Sequence, residues 1–387
     1  MNKYKLYCTG CGLCVSEKKA EFEQDKKGFS RPIDIDSEWC KSVCPASGKQ
    51  LKYYDSTKVW GSSQKVFLGW SQNEGIRKKA SSGGMLTELA TYLLDCDLID
   101  EVIHTCVDPD SPTKTITTFS KTREELVNKC GSRYSISHPL EVISNLDSHK
   151  RYLFIGKPCD VVVLRNYMDL KPELKTVIKY VFSFFCAGLP SCDAQELLLN
   201  KMGTSIEKCN SLIYRGNGWP GYTTAKDANG REFTLKYAEA WGKTLGRDIM
   251  RMCRVCLDGI GELADISCGD AWYLGENGKP DFGENEGRNI VFARSEVGLN
   301  ILNDALQKEY VTLNEIDDFD EYLRKAQYYQ FTRRITMGTK IRTMKALFRP
   351  VPNYEMSVLN AYEKNATKEL KQDIAIGTIK RVIKGKL

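Results

Sequence analysis

Cys8, Cys11 and Cys14 follow one another at two-residue intervals, and Cys40 and Cys44 bring the count to five thiols within the first 44 residues. Cys8-x2-Cys11-x2-Cys14 is the first three-quarters of the bacterial ferredoxin run C-x2-C-x2-C-x3-C-P, a loop short enough to wrap three thiolates around three irons of one cubane. Gly10 and Gly12 let the backbone come close to such a cluster. The fourth position of this run is Lys18. Read backward from Cys44-Pro45, a second run keeps Cys40 and Cys44 and has Asp34 and Ser37 at its first two positions. In a two-cluster ferredoxin the last cysteine of each run serves the other cluster. One cluster therefore keeps a full set, Cys8, Cys11, Cys14 and Cys44, and its companion keeps only Cys40. Two alternatives stay open: a zinc knuckle, and Cys40 in place of Cys44. Zinc more often pairs two CxxC knuckles or adds histidine.

These thiols sit in a segment, residues 1–60, with no clear helical or strand period. It is expected to bury little apolar surface and to need a metal to hold it together. Beyond it, Gln64–Trp70 alternates like a strand, and Ser81-Ser82-Gly83-Gly84 opens a helical pattern with Met85, Leu86, Leu89, Leu93 and Leu94 on one face. Strand-like runs follow at Leu98–Val107, Thr115–Phe119, Arg151–Ile155, Val177–Phe185, Ser211–Tyr214 and Asn289–Arg294. Helical stretches intervene at Thr122–Lys129, Asp160–Met168, Asp193–Met202 and Val297–Lys308, and Asn229-Gly230 marks a hairpin. The pattern predicts an α/β fold with a mixed sheet. Its expected divisions are a small ferredoxin-like iron–sulfur domain (1–60), a catalytic domain (61–345) and a helical C-terminal extension (346–387). The extension ends in Lys380, Arg381, Lys384 and Lys386, read as a solvated helix face, with contact to a membrane surface as the alternative.

The chain has 387 residues, 56 basic and 50 acidic, an even balance that argues against nucleic acid as a partner. No apolar run reaches transmembrane length and no secretory h-region follows Met1. Fifteen cysteines, an odd number without an export signal, point to reduced thiols and a cytoplasmic setting.

Seven further landmarks keep a fixed order: Ser81–Gly84, Gly131–Tyr134, Gly156-Lys157-Pro158-Cys159-Asp160, Phe185–Gly188, Tyr214–Gly221, Cys253–Asp258 and Ala264–Asp270. Behind a ferredoxin-like head, over roughly residues 5–345, this order resembles the coenzyme F-420 hydrogenase/dehydrogenase beta-subunit family. The resemblance implies an iron–sulfur flavoprotein oxidoreductase that couples hydride transfer at a flavin to one-electron transfer. Taken alone, Cys253-x2-Cys256 reads equally as half a zinc site, a dithiol pair or two incidental cysteines. Arg251 and Arg254, which flank it, are expected to lower its thiol pKa values. The resemblance favours a second 4Fe–4S cluster on Cys159, Cys186, Cys253 and Cys256. It also implies FAD, with FMN as the alternative, held by Ser81, Ser82, Gly83, Gly84, Gly131, Ser132, Arg133, Tyr134, Gly156 and Lys157. Without it, Ser81–Gly84 equally suits an ordinary serine N-cap.

Lys157, Asp270 and Arg215 are the candidate catalytic residues, and Asp265 is also expected to face the site. None of the three histidines lies in a landmark, and His104 is read as a core residue. Cys96, Cys106, Cys130, Cys192, Cys209 and Cys268 lack partner spacing and are expected to pack as small hydrophobes. Gly259-Ile260-Gly261-Glu262 is a poor dinucleotide fingerprint, since it follows no strand and carries a carboxylate. Three functions compete. The first is a free-standing reductase of a small organic substrate, with a sugar or polysaccharide precursor as one candidate, fed by ferredoxin or another carrier. The second is a deazaflavin-oxidising electron-transfer subunit of a larger complex. The third is a zinc-stabilised binding module.

Overall fold

A computed structural model describes residues 2–387 of the chain. Strands β1 (Glu21–Gln24) and β2 (Ser30–Ile33) form a small antiparallel hairpin near the N-terminus. Next come β3 (Lys65–Ser71), β4 (Glu101–Asp108), β5 (Ser111–Ser120), β6 (Tyr152–Gly156) and β7 (Ile178–Phe184). β8 (Cys209–Ile213), β9 (Tyr222–Asp227) and β10 (Glu232–Lys236) make a separate antiparallel sheet around the Asn229-Gly230 hairpin. β11 (Ile266–Asp270), β12 (Asn289–Ala293) and β13 (Val311–Glu315) complete the set.

Eight of these strands form one mixed sheet in the order β13-β3-β12-β11-β7-β6-β4-β5. Its middle, β11-β7-β6-β4, is parallel, and every other pairing is antiparallel. A parallel strand buried on both faces reads as a near-continuous apolar run, as in Tyr152-Leu153-Phe154-Ile155. Parallel pairing also sends the carboxyl ends of β4, β6, β7 and β11 to one edge of the sheet. Ligands bind at that edge in open α/β sheets. The helix Met85–Asp95 buries Met85, Leu89 and Leu93 against the sheet, and Pro158–Leu170 follows β6 directly.

The head departs from expectation. Residues 1–60 contain helices Lys3–Leu6, Leu13–Ser16 and Ser37–Val43 besides the hairpin. They also bury substantial apolar surface. Tyr4, Tyr7, Phe29 and Leu51 share one core with Met337, Ile341 and Met344 and with Tyr354, Leu359, Tyr362, Val382 and Leu387. Tyr7 donates its hydroxyl proton to the Pro350 carbonyl, and Asn353 N–H donates to the Ala46 carbonyl at 3.1 Å. The tail is therefore not a freely solvated helix: Lys368–Ile383 packs Thr378 and Val382 inward while Ile376, Ile379 and Ile383 stay exposed. The patterns missed this because the burying partners lie some 300 residues apart in sequence. No helix among the described residues is long and apolar enough to cross a membrane.

Leu359 is fully buried in this shared core. Leu359→Ala is expected to cost about 2–5 kcal/mol in urea denaturation. It should also make residues 1–60, as well as the tail, more sensitive to limited proteolysis. A head that stays as resistant as in the parent protein argues against the shared core.

Candidate functional site

The carboxyl ends of the parallel strands carry the chemistry. β6 ends at Gly156, and Lys157 then N-caps the helix Pro158–Leu170. Proline suits the first helical position because the amide proton it lacks has no partner there. Asp160 Oδ2 accepts from Lys157 N at 3.1 Å and from Lys157 Nζ at 2.6 Å. β7 ends at Phe184, and Cys186 N–H then donates to the Gly259 carbonyl at 2.8 Å. β11 ends at Asp270, whose carboxylate takes both amino groups of Arg215 at 2.9 Å and the Trp219 indole N–H at 3.1 Å.

Two cavities open at this edge. The larger, about 290 Å³, is lined by Ser81, Ser82, Gly84, Gly131, Ser132, Arg133, Tyr134, Gly156 and Lys157, together with Arg215 and Asp270. Thus the candidate cofactor and catalytic residues meet around one space, with the exception of Gly83. Gly83 packs against β3 and β12 instead: a Cβ there would stand 2.8 Å from both the Asn289 side chain and the Gly69 carbonyl. Ser81 is not a helix cap. Its hydroxyl accepts from Ser132 N–H at 2.6 Å and ties two cavity loops together, and Gly84, at φ +78°, is the N-cap of Met85–Asp95. Met85 N–H donates to Asn289 Oδ1 at 3.3 Å, so the Leu86 and Thr87 amides are those left in the first turn for an anion.

Several readings are corrected. The Arg133 guanidinium points to the carbonyls of Pro112, Lys114 and Leu212, a structural use. Asp265 does not face the cavity; it accepts from Val181 N–H and the Ser295 hydroxyl and pairs with Arg165 at 2.9 Å. Asp270 is a strand-end residue in an ion pair with Arg215. Cys192 is exposed, and Cys130 and Cys268 line the cavity. His104 also lines it, on the face of β4 that alternation alone could not assign to core or cavity.

The smaller cavity is lined by Cys159, Cys186, Cys253 and Cys256 with Thr9, Lys157, Gly188, Leu189 and Arg333. Lys157, Cys186, Gly188 and Leu189 belong to both cavities and so form a common wall. Burial pushes these thiols up, Cys253 to about 12 and Cys256 to about 11, contrary to the lowering expected from Arg251 and Arg254. The cation that opposes burial at both is Arg333. In the head, burial raises Cys8, and burial with neighbouring thiols pushes Cys11 to about 12 and raises Cys14 and Cys44. Burial and Cys8 hold Cys40 at about 12. Cys8, Cys11 and Cys40 lie within electrostatic reach of Cys14 and also of Cys44, and Cys11 also feels Asp160 and Lys157. Thiols raised this far are protonated at neutral pH, which suits ligands that a metal must deprotonate better than a reactive nucleophile. Among the described residues no three of His, Cys, Asp and Glu stand close enough to share one metal ion. A cubane asks for something looser, because its ligands bind four separate irons and their sulfurs surround a space.

Residues 66–144 match the N-terminal part of the coenzyme F420 hydrogenase/dehydrogenase beta subunit, and residues 149–319 match the C-terminal part of that same beta subunit. The chain belongs to this family. It is 26% identical over 348 residues to the coenzyme F420-dependent sulfite reductase of Methanocaldococcus jannaschii, covering 85% of this chain and 50% of that one. It is 23% identical over 301 residues to the coenzyme F420 hydrogenase subunit beta of Methanococcus voltae, covering 76% and 99%. The chain therefore spans half of the sulfite reductase and nearly all of the hydrogenase subunit. Among solved structures, the F420-reducing NiFe hydrogenase complex from Methanosarcina barkeri shares its fold, with a TM-score of 0.58 and 21% identity. That match covers 76% of this chain and 96% of that one. The mixed α/β architecture is thus that of the family, and family members of these kinds are oxidoreductases or their subunits.

Burial, partly reinforced by Lys129, lowers the His104 pKa from 6.5 to about 4. The folded protein keeps His104 neutral down to about pH 4, whereas the unfolded chain takes up a proton near 6.5. The stability this group contributes is therefore whole above pH 6.5 and falls by roughly 3 kcal/mol as the pH drops toward 4. His104→Gln, which can still bond the Ser120 hydroxyl, is expected to flatten that part of the pH–stability curve. An unchanged curve counts against the buried neutral imidazole.

Proposed function

We propose that the chain is an electron-transfer oxidoreductase subunit that exchanges hydride with a deazaflavin through a bound flavin and relays single electrons through two 4Fe–4S clusters to a partner. The observation that carries this reading is the common wall: Lys157 and Cys186 line the larger cavity and the four-thiol cavity at once. The relatives favour this reading over a free-standing sugar reductase, because those above are F420-dependent enzymes or subunits of them.

The residues fit both groups. Four soft sulfurs around a buried space, beside a cation, are a donor set for an anionic cubane, and Cys8, Cys11, Cys14 and Cys44 form the corresponding set in the ferredoxin-like head. Cys159, Cys186, Cys253 and Cys256 would hold the second. Gly131 keeps the wall of the larger cavity low, and the Leu86 and Thr87 amides with the Ser82 loop would take the FAD or FMN phosphate. When bound, the flavin would supply both hydride exchange and single-electron steps, and the clusters would carry electrons one at a time.

The chain's own part is electrostatic and steric. Burial disfavours the charged Lys157 amine, but the Asp160 carboxylate outweighs it and keeps the proton on Nζ at the wall of both cavities. That fixed charge would favour a reduced, anionic ring. The mutual grip of Arg215 and Asp270 holds the opposite wall rigid and leaves neither free as an acid or base. Thr9 lies against the four-thiol cavity and Cys11 lies near Asp160, so the head thiols stand next in line toward a carrier such as ferredoxin. Free thiols throughout suit a reducing compartment, the cytoplasm.

Anaerobic reconstitution should load about eight irons and one flavin per chain. Cys186→Ser and Cys11→Ser should each lose about four irons, and Cys44→Ser should lose them where Cys40→Ser does not. Mixing with reduced deazaflavin should bleach the flavin band. A fully iron-loaded protein that binds no flavin overturns the proposal and leaves an iron–sulfur module.

A further inference from the structure

Arg333 lies on the helix Tyr328–Ile335, past residue 319 where the family match ends. Its side chain is buried, with 7% of the residue exposed. Its Nη2 donates to the Cys186 carbonyl at 3.1 Å and to Gln330 Oε1 at 2.5 Å, and its guanidinium stands 5.4 Å from the Tyr329 ring centre. Among the described residues no carboxylate lies within ion-pair distance of it.

Two nearby arginines are satisfied differently, one by an ion pair and one, also without a carboxylate, by four oxygen acceptors. Arg334 pairs with Glu262, and Arg294 lodges against the Ser267 hydroxyl and the carbonyls of Trp60, Ser62 and Ile260. A buried charge without a counter-charge is strongly unfavourable. What Arg333 does face is the wall formed by Cys159, Cys186, Cys253 and Cys256. The surrounding chain makes room for it. A Cβ on Gly259 would stand 1.2 Å from Arg333 Nη2, so the first glycine of the poor dinucleotide-like run is needed to let the guanidinium through.

We propose that Arg333 is the counter-cation of the cluster held by Cys159, Cys186, Cys253 and Cys256, a positioning residue that raises the cluster's reduction potential. The proposal rests on the second-cluster reading above. One-electron reduction adds one negative charge to the cluster and its four thiolates, and no bond forms or breaks. A fixed, buried cation therefore stabilises the reduced form more than the oxidised one.

The test uses the full chain, reconstituted anaerobically and titrated with dithionite under potentiometric control, with iron counted and the reduced clusters followed by electron paramagnetic resonance. Arg333→Gln should shift the midpoint of one cluster to lower potential and leave the other unmoved, and Arg333→Lys should recover most of the shift. Gly259→Ala, which displaces the guanidinium without removing its charge, should move the same midpoint in the same direction. Loss of about four irons in Arg333→Gln, restored in Arg333→Lys with flavin and head cluster retained, supports the same role. Full iron content with both midpoints unmoved in Arg333→Gln overturns it, as does an Arg333→Lys variant that behaves like Arg333→Gln. A parent protein that holds only about four irons, none of them lost in Cys253→Ser, instead overturns the second-cluster reading itself.

Discussion

Parallel pairing of β4, β6, β7 and β11 is the constraint on which the site depends. Parallel neighbours cannot be joined by tight turns, so each strand must leave the sheet at the same edge and return by a crossover. The segments that leave are Lys157–Asp160, Phe185–Leu189 and Asp270 with the loop after it. Their functional side chains lie within a few residues of strand ends that the sheet's hydrogen bonds hold in register, as in Gly156 opposite Ser183 and Cys268 opposite Phe184. Positions set this way are rigid without any metal or cofactor and hold Cys159 and Cys186, while Cys253 and Cys256 come to the same space from the short helix Arg251–Arg254 and the turn after it.

Charge is distributed to match. Lys157 is neutralised by Asp160, Arg215 by Asp270 and Arg334 by Glu262, each pair buried or nearly so. Such pairs add little net stability, because desolvation offsets attraction, but breaking one is costly. Their effect is to fix walls. Arg333 breaks the pattern, and it does so where neutral thiols would become thiolates on binding a cluster. A charge that is unbalanced among thiols is thus balanced among thiolates.

Much of the fold was legible because the core strands are apolar and punctuated. Leu98–Val107 and Arg151–Ile155 anticipate Glu101–Asp108 and Tyr152–Gly156 to within three residues, and Asn229-Gly230 lies in the turn between β9 and β10. β13 was missed because Val311–Glu315 is a mixed edge strand with only Val311 buried, and β11 because Ile266-Ser267-Cys268-Gly269-Asp270 has little β-propensity of its own. The loops singled out for a cofactor line the larger cavity except at Gly83, and some of their side chains are used otherwise than expected. Ser81 obeys a capping rule in sequence yet bonds an amide 51 residues away, and Arg133 turns from the cavity to three carbonyls. Local rules cannot see contacts of that range.

The same limit explains why the head looked unable to fold alone. Its short helices and polar hairpin offer few apolar faces, and Cys8–Cys14 suggests that metal must supply what packing cannot. Tyr7 and Leu51 instead meet Met344, Leu359 and Tyr362, so C-terminal helices complete a core that the first 60 residues only begin. This division has a functional logic. Under the proposed function, a head held by its cluster alone would loosen whenever that cluster was lost, and the proposed path from Cys11 past Asp160 to the four-thiol cavity would lengthen with it. Electron transfer weakens steeply with distance, whereas apolar packing does not depend on oxidation state. Anchoring the head through the tail keeps that path short whether or not the thiols are loaded.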